Sequence, residues 1–194
     1  MDNLKTEPHP FDPFLPVNAK ILMLGSFPPA KTRWSMEFYY PNIQNDMWRI
    51  IGFIFKKDKN YFVAADKKYF NKDKIISFLI ETGIALGDTA QNIVRQKENA
   101  SDKFLEVIDP ADIHAQLLKL PECKAVITTG QKATEIFCSI MNVSEPKVGQ
   151  YCPFSFMDRE LKFYRMPSSS RAYPKPIEEK AKMYEQMFRE IGMI

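Results

Sequence analysis

Two short stretches gather side chains with chemistry to offer. The first begins Gly25-Ser26-Phe27-Pro28-Pro29 and continues through Phe38-Tyr39-Tyr40-Pro41, Asn42, Gln44 and Asn45 to Trp48-Arg49. Adjacent aromatic faces followed by neutral amides suit a nucleobase, which presents a π-face to stack on and edges to hydrogen-bond. The same residue types also suit a plain core, with Asn45 or Asn42 as a helix cap. The second stretch, Met166-Pro167-Ser168-Ser169-Ser170-Arg171, sets three hydroxyls beside a cation. Between residues 161 and 177 the chain carries Lys162, Arg165, Arg171 and Lys175 and no acidic residue. Such a loop suits phosphate oxygens, which position a nucleic acid without reading it; a solvated serine-rich turn is the plainer alternative.

These stretches need a frame to bring them together. Short apolar runs that end in Gly or a turn alternate with segments of helical period, the pattern of an α/β fold with parallel strands buried on both faces. The readable strands are residues 20–24, 84–86, 125–129 and 161–166. Helices are predicted up to residue 55, over 74–82, from Asp109-Pro110 to 120, over 131–141, and from Pro176 onward. The fold class is therefore α/β, a three-layer αβα sandwich on a central, mostly parallel four-stranded sheet. Ligands of such sheets bind beyond the carboxyl ends of the strands, here just after Leu24, Leu86, Thr129 and Met166. Asp88 stands at one of these ends, as a base-recognition or catalytic group or as the cap of a following helix.

With 194 residues and no internal repeat, the chain reads as a single domain, 1–194, with residues 1–18 a polar, Pro-containing arm. No run approaches a membrane span, and the N-terminus lacks the basic-then-apolar order of a signal peptide. Three isolated cysteines give no disulfide framework, thiolate metal site or cluster, so no metal and no cofactor is expected. A reducing intracellular compartment such as the cytoplasm fits this usage. The net charge of +3 is too small to imply nucleic acid by itself, and the seven lysines between 56 and 74, interleaved with Asp58, Asp66 and Asp73, read as a solvated face.

The string MPSSSR at 166–171, and Tyr40-Pro41 followed by Asn45 and Trp48, resemble the two active-site motifs of the uracil-DNA glycosylase superfamily. The similarity is to its mismatch-specific thymine/uracil and hypoxanthine-DNA glycosylase branch: Gly25-Ser26-Phe27-Pro28 and Asn45 ahead of Trp48-Arg49-Ile50 match the hypoxanthine type. The resemblance implies a monofunctional DNA glycosylase of base-excision repair, usually a monomer, whose partner is DNA holding a damaged or mismatched base. It implies that Asn45 orients the attacking water and that Tyr40 stacks on the flipped base, with Phe27 a second wall. Backbone N–H groups at Ser26 and Phe27 then bond the leaving base, Ser168, Ser169 and Ser170 meet phosphates, and Arg171 fills the vacated stack.

The chain also departs from the family. Phe27 stands where the mismatch-specific branch holds water with an asparagine. The loop 166–171 lacks the histidine of the uracil-specific branch; the chain's histidines are His9, in the arm, and His114, read as structural. Neither motif contains a lysine for a Schiff-base step. A non-catalytic nucleobase or DNA-binding module is the alternative that Phe27 raises. A serine hydrolase lacks both the G-x-S-x-G turn and a partner histidine.

Overall fold

The computed structural model describes residues 6–96 and 105–194. Its main sheet has five strands in the order β3-β2-β6-β8-β7. Strands β2 (Ile21–Gly25), β3 (Ile84–Asp88), β6 (Ala125–Thr129) and β8 (Arg159–Met166) run parallel, and β7 (Gln150–Phe156) pairs antiparallel with β8 at the edge. The α/β sandwich with a mostly parallel sheet is present, but the four-stranded count is one short. The fifth strand carries Pro153, which a central strand would not tolerate and an edge strand does. Only Phe154 and Phe156 of its seven residues are buried.

Alternation along the strands sends side chains to opposite faces. Ile21, Met23, Ile84, Leu86, Ile127 and Tyr164 face one layer, built from α1 (Met47–Lys56), α2 (Lys72–Thr82) and α5 (Ile177–Ile191). Leu22, Leu24, Val126 and Phe163 face the other, where α3 (Ile113–Leu118) and α4 (Gln131–Met141) contribute Ile113, Leu117 and Phe137. Both faces of the sheet are thus covered, and the helix stripes supply the burial that stabilises them.

A second sheet, absent from the sequence reading, has the order β1-β4-β5, all antiparallel: β1 (Thr6–Pro8), β4 (Ala90–Arg95) and β5 (Leu105–Pro110). It moves the start of α3. Asp109 and Pro110 close β5, and the Asp112 side chain caps the helix by accepting from the Ala115 N–H at 2.9 Å. The arm is built into the fold: β1 lies along β4, and Phe14 exchanges two backbone hydrogen bonds of 2.9 Å with Leu86 on the outer side of β3. Among the described residues no helix is long and apolar enough to cross a membrane.

Candidate functional site

The strand registers place Gly25, Asp88, Thr129 and Met166 together at the carboxyl edge of the sheet. The loops leaving these ends enclose a cleft of about 590 Å³. Asn45, Ser26, Phe27, Tyr40, Asp88, Ser168, Ser169, Ser170 and Arg171 all line it.

The two loops are tied to each other through Asp46, which is buried just ahead of α1. Its backbone N–H donates to the Ser169 carbonyl at 3.0 Å, and Oδ1 accepts from Arg171 Nε at 3.0 Å. Oδ2 lies 3.7 Å from Nζ of Lys180, a buried lysine that also donates to the Ser170 carbonyl at 2.8 Å. Burial pulls the Lys180 ammonium below its ordinary value, and the Asp46 carboxylate opposes that pull. Arg49, one turn into α1, donates to the carbonyls of Ile43 and Asn45 and fixes the segment between Tyr40 and the helix.

Within this frame each side chain has a defined setting. The Asn45 Oδ1 accepts from the Met47 N–H at 2.9 Å, which orients the amide and leaves the oxygen's second lone pair and the NH₂ group for other partners. Tyr40 adopts a left-handed backbone, φ 51°, unusual for a bulky residue. Its ring meets Trp48 edge-on, and its hydroxyl lies 2.9 Å from Thr129 Oγ1. Phe27 lines the cleft but also packs in a small cluster with Ala90, Ile93 and Leu105. The Ser168 and Ser170 hydroxyls accept from the N–H groups of Ser170 and Ala172, so each keeps its own proton to donate outward. Arg171 remains half exposed in spite of its ion pair.

Asp88 does not cap a helix, because the chain turns at Thr89 straight into β4. It pairs instead with His9, whose Nε2 lies 2.8 Å from Oδ2, and both side chains are buried. The His9 Nδ1 lies 2.7 Å from the Phe11 carbonyl and 3.1 Å from the Phe11 backbone nitrogen. Burial pushes the Asp88 carboxyl up, with His9 opposing. Burial alone would lower the His9 imidazole, but the bond to Asp88, its charge, the Phe11 carbonyl and Asp12 together raise it. Gly25 makes room for the pair: a Cβ there would stand 2.4 Å from Asp88 Oδ1.

The sequence reading missed His9, Asp46, Lys180 and Arg33, the last an exposed cation on the cleft's rim. In the sequence Asp46 is only the neighbour of Asn45, and Lys180 is one of two lysines on α5. Nothing in the local sequence of a polar arm marks His9 as a partner of Asp88.

Two outcomes follow from these contacts. Asp46→Ala leaves Lys180 buried beside no carboxylate and is expected to lower unfolding stability by about 3 kcal/mol in urea titration. For His9 the folded value lies above the ordinary 6.5, so its contribution is full below that pH and is lost as pH rises through the folded value. The thermal stability advantage of the parent over His9→Gln should therefore shrink from about pH 6 toward about pH 9.

No protein-family model and no curated protein sequence matches the chain. Its architecture is nevertheless shared with solved structures. One is the solution NMR structure of a candidate uracil DNA glycosylase from Methanosarcina acetivorans, which aligns over 96% of this chain and 99% of that one, with a TM-score of 0.63 and 22% identity. The likeness is one of fold: the chain adopts the α/β architecture of that protein along nearly its whole length.

Proposed function

We propose that the protein is a monofunctional DNA glycosylase that hydrolyses the N-glycosidic bond of a flipped, deaminated base, hypoxanthine or uracil, in DNA. The observation that carries this reading is the convergence of both motif loops on one cleft at the carboxyl edge of the sheet. The shared fold with a candidate uracil DNA glycosylase supports it.

Hydrolysis develops positive charge on the sugar and negative charge on the departing base. Asn45, its amide held by the Met47 N–H, orients the attacking water through its remaining lone pair. Tyr40, braced by Trp48 and Thr129, stacks on the extruded base, and Phe27 forms a second wall. The backbone at Ser26 and Phe27 bonds the leaving base, and Asp88 faces its edge from the cleft floor. Ser168, Ser169 and Ser170 meet the DNA backbone on the other side, the hydroxyl protons of Ser168 and Ser170 pointing to phosphate oxygens. Arg171 enters the vacated stack once it leaves Asp46, or remains at the rim as a phosphate contact. The protein acts as a monomer in a reducing compartment and uses no cofactor.

A non-catalytic DNA-binding module is the second reading. The observation favouring it is Phe27, an apolar side chain packed into its own cluster, at the position where the resembled mismatch-specific branch holds water with an asparagine.

Alkali-revealed cleavage of end-labelled oligonucleotides carrying uracil, hypoxanthine or xanthine separates the two. The parent should excise at least one lesion, and a folded Asn45→Ala should be slower by about 100-fold. An Asn45→Ala protein as active as the parent removes Asn45 from the mechanism, while DNA binding with no excision of any lesion selects the binding module. Arg171→Ala should slow excision from duplex and spare it in single strands if the side chain enters the stack; equal losses assign it to phosphate contact.

A further inference from the structure

The glycosylase reading gives work to Asp88 and leaves His9 idle, yet the structure goes to some length to bring the two together. They lie far apart in sequence, and the arm that carries His9 is anchored on both sides of it, by β1 along β4 and by Phe14 on Leu86. His9 stands behind the cleft floor, its ring edge-on to Phe27 at 5.1 Å and stacked on Tyr39 at 6.0 Å. It holds Asp88 Oδ2 at 2.8 Å. The other oxygen, Oδ1, lies over Gly25, on the side where the Tyr40 hydroxyl also approaches. His9 therefore engages one carboxylate oxygen from behind, and its twin lies at Gly25, whose backbone also bonds the carboxylate, beside the Tyr40 hydroxyl.

An ionised carboxylate only accepts hydrogen bonds, whereas a protonated one donates. Deamination of adenine to hypoxanthine, or of cytosine to uracil, turns a bare ring nitrogen into a ring N–H beside the altered carbon. An ionised Asp88 accepts from that N–H and repels the lone pair of the amino parent. Burial works against the charge on Asp88, the Gly25 backbone bond works for it, and the imidazolium of His9 is placed to supply the larger opposing effect. Resting on the glycosylase reading, we infer that His9 is a positioning residue whose bond to Asp88 keeps that carboxylate ionised, so that its second oxygen selects flipped bases carrying a ring N–H at the deaminated edge over their amino parents.

Of the other groups facing the pair, the Gly25 backbone also favours the Asp88 charge through a hydrogen bond. Asp12 adds negative charge on the His9 side. Tyr39 and Tyr40 face it from the first loop, and burial together with the Asp88 charge pushes the Tyr39 phenol further up, so it stays neutral.

The test uses the full chain, His9→Gln and Asp88→Asn. Excision of hypoxanthine and uracil is followed from about pH 4 to about pH 9, and binding of free hypoxanthine and free adenine is measured by calorimetry. Glutamine keeps a neutral donor but no charge, so the acid limb of kcat/KM should move up by about one pH unit or more, with activity recovered at high pH. In Asp88→Asn that limb should vanish, and the preference for free hypoxanthine over adenine should fall by at least about tenfold. A merely structural role would lower activity by one factor at every pH. That result, or an unmoved acid limb, overturns the inference while leaving the glycosylase reading intact. Should the parent excise neither base and bind neither free base, both fall. Nitrogen-15 spectra of the parent need no variant: both ring nitrogens of His9 should be protonated near neutral pH, and a neutral His9 there overturns the inference.

Discussion

The buried carboxylate of Asp46 is the constraint on which the cleft depends. Asp46 joins the end of the first motif loop to the second through its backbone N–H, which donates to the Ser169 carbonyl, and through its carboxylate's ion pairs with Arg171 and Lys180. A charge this deep is stable only while its partners stay in place, and its two cations come from different elements, Arg171 from the second loop and Lys180 from α5. The position of Asn45 relative to the serine loop thus follows from the electrostatics of its neighbour. Arg49 extends the same control backward by gripping the carbonyls of Ile43 and Asn45.

A second polar pair performs a parallel task. His9 and Asp88 share one buried hydrogen bond at the floor, and the arm that carries His9 is held by β4 and β3. Tyr40 lines the same cleft, with a left-handed backbone and its hydroxyl against Thr129. Its ring meets Trp48 and its hydroxyl Thr129, so the ring's position is set in advance, and under the proposed function such a face costs little ordering on binding.

The covered sheet explains why these devices sit where they do. Strands buried on both faces have no polar surface except at their ends, so the hydroxyls, amides and charges that line the cleft collect at the carboxyl edge. Gly25 lets the first loop leave its strand without displacing the Asp88 carboxylate.

The sequence by itself determined the parallel frame, because continuous apolar runs closed by Gly or Pro and stripes of helical period are local signals. It also pointed to the two loops, whose residues sit at strand ends, and all nine of the candidate side chains line one cleft. Only the tertiary structure decided the rest. The edge strand β7 hid behind Pro153, and β1, β4 and β5 are short, half-exposed strands whose identity comes from pairing with one another rather than from any period of their own. Asp109-Pro110 carries the local signature of a helix start but closes β5, since tertiary pairing outweighs a cap that Asp112 also supplies. The Asp46 staple and the His9–Asp88 pair join residues far apart in the chain. The type of a residue shows that it is able to bear charge, and the fold alone chooses which opposite charge it meets.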